Sequence, residues 1–302
     1  MSRNLRTHIF LFVANLIYGA SFTIAKALTP HYIEPYGFIL IRVTFSLFLF
    51  SATQLIFIRS GIARKDLPLL IVCGLVGVAM NQLLFFKGLS LTRPINAALI
   101  MISTPILVVL FTSLMKNEKL TMRKGAGSLI AAIGAAIVVI HSTVSGGEAS
   151  PLGDLLIFLN AACYAIYLVI VKPLMEKYHP IAVIAWVFLF GEIFVLPVGW
   201  NQFAAVEWTT FTFWIWAGTA FIVIFTTYLA YLLNIFALRD APASTVGIYI
   251  YAQPLFATLI AVVSGKDFLN WETLLSSLLI FIGVYLVSFG ARKFSLAETE
   301  QP

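Results

Sequence analysis

Long apolar runs separated by short polar gaps dominate the chain. The hydrocarbon core of a bilayer is about 30 Å thick, and an α-helix crosses it in roughly 20 apolar residues. The gaps are rich in Gly, Pro, Asn and charged residues, as turns are. The pattern predicts an all-α integral membrane protein with ten transmembrane helices. The predicted spans are residues 7–28, 35–58, 67–89, 94–116, 122–141, 151–171, 180–200, 209–236, 244–264 and 271–290.

The composition agrees with a surface that faces lipid. The 302 residues are 61% hydrophobic and 11% charged, with a mean hydropathy of +0.98. A soluble domain carries about 25% charged residues. So few charges cannot cover a water-exposed surface, which excludes a soluble enzyme of this size.

The positive charges indicate the orientation in the membrane. A net charge of +6 could suggest a nucleic-acid partner, but Lys and Arg concentrate in alternate gaps, for example at residues 64–65, 123–124 and 292–293. Basic residues interleaved with aromatics, as in a nucleic-acid groove, do not occur. Cytoplasmic loops of membrane proteins are rich in Lys and Arg. We therefore expect a multi-pass protein of the cell inner membrane with both termini in the cytoplasm, with lipid and no nucleic acid as partners.

Cysteine and histidine give no sign of a disulfide framework or a metal site. Cys73 and Cys163 lie inside apolar runs, and the four histidines lie singly at the ends of runs. No spacing typical of metal ligands and no phosphate-binding Gly-rich loop occurs. We expect no metal, no cofactor and no ATP hydrolysis.

An internal repeat relates the two halves of the chain. Because five is an odd number, a second set of five spans enters the membrane inverted, as in many secondary transporters. The predicted units are residues 1–145 and 146–302. A shift of 149 positions superposes Leu89 on Leu238, Pro105 on Pro254, Glu118 on Asp267 and Gly134 on Gly283, and a shift of 146 superposes Tyr18 on Tyr164.

Short motifs give the chain a resemblance to a known family. In the first half they are residues 18–22, Arg42, residues 97–105, residues 117–120 and Gly134; in the second they are residues 237–238, 243–244, 253–254 and Gly283. In this order and spacing they resemble the ten-span EamA-type branch of the drug/metabolite transporter superfamily over nearly the whole chain. The chain departs from that family at Asp267, where Glu is more common, and at Leu274, which replaces a small residue.

The resemblance implies a basket of ten helices around a central cavity. Members of the family move amino acids, nucleotide-sugar-like metabolites, sugar phosphates or drugs, and the bacterial ones are usually exporters or exchangers. Because substrates vary widely within one fold, the resemblance does not identify the substrate.

Polar residues in the middle of the spans are the candidate binding residues. In hydrocarbon each polar group needs a protein partner or a water-filled cavity. For the tyrosines, packing within the helix bundle is an equally good explanation. The candidate substrate-binding residues are Tyr18, Asn81, Gln82, Ser103, Thr104, Asn160, Tyr164, Tyr228, Tyr231, Tyr249 and Gln253.

Two prolines predict breaks in helices of matching depth. Pro105 and Pro254 each remove a backbone N–H and clash with the preceding turn, which frees the carbonyls of Met101 and Ile250. Broken helices in two inverted halves indicate a binding site at the midplane. The alternative is a pair of kinks that shape the bundle without touching a ligand.

Two charged residues lie inside predicted spans two and seven. An ionised acid at such a depth costs about 2.5–3.5 kcal/mol on insertion scales. Our hypothesis is that Glu192 forms an ion pair with Arg42; the alternative is that Glu192 couples transport to protons. A stripe of small residues in span five, which includes Gly127 and Ala131, predicts close helix packing inside the bundle or a dimer face. Monomer and homodimer both stay open.

These features together predict a secondary transporter. It would export or exchange a small organic metabolite, with an amino acid as one candidate, by alternating access around a midplane cavity. The alternatives are an intramembrane enzyme and a passive channel. The sequence contains no nucleophile or metal motif and no ring of like charges, so we expect a protein that is not an enzyme.

Overall fold

The computed structural model describes residues 3–29, 31–58, 61–91, 100–115, 121–141, 150–263 and 271–289. Within these residues the chain folds into ten helical segments, and each one overlaps a predicted span. Parts of the family resemblance, including residues 97–99, 117–120 and Asp267, lie outside the described residues. The helices are α1 (Arg3–Leu28), α2 (Pro35–Ile58), α3 (Arg64–Leu91), α4 (Ser103–Leu114), α5 (Met122–His141), α6 (Pro151–Lys177), α7 (Pro180–Ala204), α8 (Phe213–Asp240), α9 (Ala243–Ile248 and Ala252–Val263, joined by the 3₁₀ turn Tyr249–Tyr251) and α10 (Trp271–Phe289).

Length and composition mark several helices as membrane spans. In the described part of the chain, α2, α3, α6, α7 and α8 are long and apolar enough to cross a bilayer, and α4 is a shorter apolar helix. Large apolar side chains cover the outside of α2, where Phe48 is 69% and Phe57 is 76% exposed. A surface of this kind requires lipid or a protein partner. The protein is therefore an all-helical, multi-span membrane protein.

The helices pack in a pattern that repeats between the two halves. The closest pairs are α2 with α7 and α5 with α10. Other extensive contacts come in equivalent pairs: α3 packs on α6 as α8 packs on α1, and α4 packs on α6 as α9 packs on α1. In each pair the second contact joins the helices that occupy the same places in the other half: α3 corresponds to α8, α6 to α1 and α4 to α9.

Small residues bring α5 and α10 into direct contact. A Cβ atom added to Gly283 would lie 2.5 Å from Ala131 Cβ and 2.5 Å from the Gly127 carbonyl oxygen, and one added to Gly134 would lie 2.9 Å from Leu279 Cβ. The small-residue stripe of α5 is thus covered by α10 of the same chain. Of the two uses predicted for the stripe, the structure shows internal packing.

Two helices in equivalent positions contain π-helical turns. They cover Leu75–Met80 in α3 and Ile222–Leu229 in α8. A shift of 149 places residues 75–80 on residues 224–229, so the two stretches overlap in the repeat. A π-helical turn inserts an extra residue into the helix and is often found at functional sites. Both stretches lie next to the cavity described below.

Candidate functional site

A central cavity of about 180 Å³ lies between helices of both halves. It is bordered by α1, α2, α3, α6, α8 and α9, together with Met101 just before α4. Aromatic and aliphatic side chains form most of its wall, and amide, hydroxyl and guanidinium groups interrupt it. The lining residues are Tyr18, Ser21, Ala25, Arg42, Asn81, Gln82, Phe85, Phe86, Met101, Asn160, Tyr164, Ile222, Thr226, Tyr231, Ile250 and Gln253.

The structure brings most of the predicted binding residues together at this cavity. Seven of the eleven line it, from four different helices and the 3₁₀-broken α9. Their contact with a substrate stays a prediction. The seven are Tyr18, Asn81, Gln82, Asn160, Tyr164, Tyr231 and Gln253.

The other four predicted binding residues are outside the cavity lining. Tyr228 packs on Phe50 with 4.7 Å between ring centroids and shares a 2.7 Å hydrogen bond with Thr53. The Tyr249 hydroxyl lies 2.7 Å from His8 Nδ1.

Ser103 and Thr104 lie at the start of α4. Thr104 is fully buried, and neither hydroxyl has a hydrogen-bond partner in the described part of the chain. The two hydroxyls are therefore close to the start of the broken helix rather than in the cavity wall.

Both predicted helix breaks occur. The 3₁₀ turn Tyr249–Tyr251 comes directly before the α-helical stretch that holds Pro254. A non-helical residue, Ile102, comes before α4, whose first turn contains Pro105. The carbonyls expected to be freed belong to Met101 and Ile250, and both of these residues line the cavity. The breaks therefore border the cavity from equivalent positions in the two halves.

Buried amide groups form the polar part of the wall. Asn160 Nδ2 donates a hydrogen bond to the backbone carbonyl of Asn81, which follows the π-helical turn of α3. Asn160 Oδ1 and both amide atoms of Gln82 are buried and have no hydrogen-bond partner among the described residues. Asn160 and Gln82 are 2% and 5% exposed. Buried polar atoms are almost always paired in proteins, so these groups are available for water or for a ligand.

Arg42 carries the charge in the cavity wall. Its Nε donates to Thr227 Oγ1 at 3.1 Å, and the same hydroxyl donates to the Ile222 carbonyl at 3.0 Å across the π-helical turn. The guanidinium carbon lies 6.0 Å from the ring centroid of Phe38 and 5.9 Å from that of Phe86. Cations are attracted to aromatic faces at about this distance. The arginine is therefore held from three sides.

The predicted ion pair between Arg42 and Glu192 is wrong. Glu192 Oε1 accepts a 2.7 Å hydrogen bond from Thr44, and its Oε2 has no partner among the described residues. Successive residues of an α-helix are about 100° apart, so Arg42 and Thr44 lie on nearly opposite faces of α2. Glu192 packs against the face that carries Thr44, whereas Arg42 points into the cavity. The sequence places both residues in the membrane but does not show which helix face Glu192 meets.

Several residues of the cavity wall and its support do not appear among the candidate binding residues. Phe85, Phe86 and Ser21 line the wall, as does Thr226, and Thr227 holds Arg42. The two threonines could have been identified from the sequence, because residues 226–227 are two adjacent polar residues inside a long apolar run. The phenylalanines give no such signal in a chain with 26 of them.

Polar contacts join α1 to the second half at the end where α1 begins. Arg6 forms a 2.9 Å ion pair with Asp240 of α8, and Asn15 Oδ1 accepts a 2.9 Å hydrogen bond from Gln253 of α9. A helix rises about 1.5 Å per residue, so Arg6 lies roughly 18 Å along α1 from Tyr18. These contacts therefore lie between the cavity and this end of α1.

A wider depression of about 540 Å³ lies at the end of the bundle that carries Arg6. Arg6, Phe10, Phe236, Arg239 and Asp240 line it. Two of these side chains, Arg6 and Asp240, already bond to each other. The smaller central cavity is the better candidate site, because both halves enclose it and its wall holds buried polar atoms that lack protein partners.

Comparison with known proteins places the chain among transporters. The sequence pattern of the EamA-like transporter family matches residues 5–140 and again 151–289. The "Uncharacterized transporter YyaM" of Bacillus subtilis is 24% identical and covers 95% of this chain and 94% of its own length. An "Uncharacterized transporter" of Archaeoglobus fulgidus is 26% identical and covers 94% of this chain and 98% of its own length.

Two further similarities concern the fold and one half of the chain. A solved crystal structure superposes with a TM-score of 0.78 over 97% of this chain and 99% of its own, at 20% identity. That likeness shows a shared fold. The "Probable terminal-alkyne amino-acid exporter" of Streptantibioticus cattleyicolor is 30% identical over 135 residues, which is 44% of each chain.

Proposed function

Since this chain belongs to the EamA-like transporter family, we propose that it is a secondary transporter that exports or exchanges a small organic metabolite, of the amino-acid class, by alternating access around the central cavity. The observation that carries the proposal is the cavity itself. It lies between the two halves, and its wall holds buried amide atoms that lack protein partners. Most buried polar atoms in a protein core are paired, and the unpaired amide atoms of Gln82 and Asn160 belong to two residues that line the same cavity.

The size and chemistry of the cavity favour a small amphipathic solute. Small-molecule sites in proteins commonly measure about 300–1,000 Å³, and this cavity of about 180 Å³ is smaller. Aromatic rings such as Tyr164 and Phe85 suit an apolar body, and the amides of Gln82 and Asn160 suit a polar head. A relative that matches 44% of this chain is named a probable terminal-alkyne amino-acid exporter.

The proposed architecture is ten transmembrane helices in two inverted repeats of five, residues 1–145 and 146–302. Two observations support it: the family pattern matches once in each half, and the most extensive helix contacts have an equivalent when the halves are exchanged. The distribution of Lys and Arg supports cytoplasmic termini in the cell inner membrane. With that orientation the Arg6 end of α1 faces the cytoplasm, and the cavity lies toward the opposite side.

Alternating access requires the end of the bundle that carries Arg6 to close and to open in turn. The ties that would have to break there include the ion pair of Arg6 with Asp240, the hydrogen bond between His8 and Tyr249 and the hydrogen bond of Asn15 with Gln253. Each joins α1 to the second half of the chain. Contacts of this strength, about 0.5–3 kcal/mol each, can be exchanged during a transport cycle.

Counterflow in proteoliposomes tests the proposal. Liposomes that contain the protein are loaded with each of a panel of unlabelled amino acids, and the uptake of the labelled form is measured. We expect at least one amino acid to be exchanged, and Tyr231→Ala and Gln253→Ala to reduce its initial rate about tenfold or more, since each removes one contact in the cavity.

The matched control is Tyr32→Ala, which removes a tyrosine that is 46% exposed between α1 and α2. This variant should exchange the solute at the wild-type rate. Full activity of both cavity variants would separate the cavity from transport, and the absence of exchange for every amino acid would refute this substrate class.

A further inference from the structure

We infer that the substrate of the cavity carries an acidic group, a carboxylate, which the guanidinium of Arg42 binds. The inference rests on the proposed function and narrows its substrate class. It excludes solutes that lack an acidic group, and it gives one residue a defined part in recognition. The reasoning starts from the hydrogen bonds of the arginine.

Most of the donors of Arg42 are unused. A guanidinium has five N–H groups in a planar fork, and Nε uses one of them on Thr227. In the described part of the chain, Nη1 and Nη2 form no hydrogen bond and no ion pair. These two nitrogens make up the edge of the fork that matches a carboxylate, which accepts two parallel hydrogen bonds from it.

The arginine is held in place before any ligand arrives. Thr227 holds Nε, and the rings of Phe38 and Phe86 lie about 6 Å from the guanidinium carbon. The two rings contact each other edge to face, with 6.4 Å between their centroids. A binding group that is already oriented loses little conformational entropy when it takes up a ligand. Three separate neighbours thus fix the guanidinium against the cavity wall.

The charge balance of the cavity lacks an anion. Arg42 is the charged residue of the lining, and neither Asp nor Glu is among the described residues that form it. Glu192, the acid that the sequence suggests as a partner, bonds to Thr44 on the other side of α2. Charged groups inside membrane proteins face water or an opposite charge. A bound carboxylate would supply the missing charge.

Another part of the wall is suited to a neutral or positive donor group. Gln82 is one helical turn before Phe86 on α3, so both lie on one face of the helix. Asn160 is tied to the backbone of Asn81 beside it. The oxygens Gln82 Oε1 and Asn160 Oδ1 are buried and accept no hydrogen bond from the described residues. An α-amino acid would place its carboxylate on Arg42 and its ammonium toward these oxygens.

Binding to acids and to their amides tests the inference. The purified full chain in detergent is titrated with two matched pairs, leucine with leucinamide and 4-methylpentanoate with 4-methylpentanamide, and dissociation constants are taken from the rise in the unfolding midpoint. We expect each acid to bind at least about tenfold more tightly than its amide, because a charge-assisted bidentate contact is lost in the amide. In Arg42→Gln this ratio should fall to about one.

Two further variants make the result specific. Arg42→Lys keeps the charge but loses the planar fork, so its preference for acids should be reduced and not abolished. Arg123→Gln is the matched control: it removes an arginine that lies over Tyr285 on α10, away from the cavity, and it should keep the full preference. If Arg42→Gln does not fold, the test relies on the acid-to-amide affinity ratios of the wild type and of Arg42→Lys.

Equal binding of acids and amides overturns the inference, as does a preference for acids that survives in Arg42→Gln. Failure of both acids to shift the midpoint at high millimolar concentration overturns it as well. The proposed function is tested separately by counterflow. Exchange of an amino acid without a preference for acids would leave transport intact and refute only the part assigned to Arg42. Binding of acids without any exchange would support the part assigned to Arg42 and refute the proposed transport.

Discussion

Replacing Asn160 by leucine is expected to reduce amino-acid counterflow at least about fivefold with little change in the stability of the protein. Asn160 contributes one hydrogen bond, to the Asn81 carbonyl, and one unpaired oxygen in the cavity wall. The variant removes the acceptor that we assign to the ammonium group of the substrate, and losing one such contact costs about 1–3 kcal/mol, or roughly five- to 150-fold in affinity. It also places an apolar side chain in the cavity.

The expected stability of Asn160→Leu distinguishes a binding residue from a structural one. A buried oxygen without a partner destabilises the folded state, and leucine has nearly the same shape. Leucine also removes the hydrogen bond to the Asn81 carbonyl, which opposes this gain. The thermal unfolding midpoint in detergent should therefore change little while counterflow falls. If Asn160 served only in packing, the substitution would lower the unfolding midpoint and leave the counterflow of the folded protein unchanged.

The matched control for this prediction is Asn201→Leu. Asn201 is exposed near the end of α7, and the same substitution there should change counterflow less than twofold, on the usual scale of surface substitutions. Wild-type counterflow in Asn160→Leu would remove this residue from the site. A large fall in the midpoint of Asn160→Leu would assign it a structural role instead.

Replacing Gly283 by alanine is expected to lower the free energy of unfolding by about 1–3 kcal/mol, the range observed for overpacked cores. The new Cβ would lie 2.5 Å from Ala131 Cβ and from the Gly127 carbonyl oxygen. A backbone oxygen cannot move aside as a flexible side chain can, so α5 and α10 would have to separate along their contact. This is the most extensive helix pair in the described part of the chain.

Gly125→Ala is the control for Gly283→Ala. Gly125 lies on α5, and a Cβ added there meets no atom within 4 Å. Alanine is favoured over glycine in a helix by about 1 kcal/mol, and this term is common to both variants. The difference between their unfolding midpoints in detergent therefore isolates the clash. Equal midpoints would mean that α5 and α10 are not in the close contact described above.

The fold was largely predictable because the membrane restricts the possible structures. Backbone polar groups must be paired within the bilayer, so a long apolar run is a helix, and its length gives its bounds to within a few residues. The start of α2 at Pro35 and the end of α5 at His141 coincide with the predicted span limits. The π-helical turns in α3 and α8 were not predictable in this way, since no composition marks them.

The residues of the cavity were partly predictable by the same principle. Polar groups in the middle of a span need a partner or water, and this argument identified Gln82, Asn160 and Gln253. It cannot tell a polar group in the cavity from one that finds a partner elsewhere. Tyr228 satisfies its hydroxyl with Thr53, and Tyr249 is paired with His8. Whether a polar side chain faces the cavity or a protein partner depends on which helix face packs against which neighbouring helix.

The relation between Arg42 and Glu192 shows the same limit for charges. Both residues lie inside spans, and opposite charges in hydrocarbon are expected to pair. The pairing fails because Thr44, two residues from Arg42, presents its hydroxyl to Glu192 on the opposite face of α2. Sequence spacing gives depth in the membrane, whereas the rotation of each helix about its axis is set by packing. The consequence is a free guanidinium edge in the cavity.

The central claim is that one cavity holds the substrate and opens to one side of the membrane at a time. Ser21 lines that cavity, and a cysteine in its place would have nearly the same shape. The test therefore uses a Ser21→Cys variant in which the two buried native cysteines, Cys73 and Cys163, are changed to alanine. The measurement is the rate at which a membrane-impermeant maleimide labels this cysteine from each side of the membrane.

The account predicts fast labelling from the extracytoplasmic side, much slower labelling from the cytoplasmic side, and protection by a saturating amount of the exchanged amino acid. Equal labelling from both sides that the amino acid does not alter would contradict it.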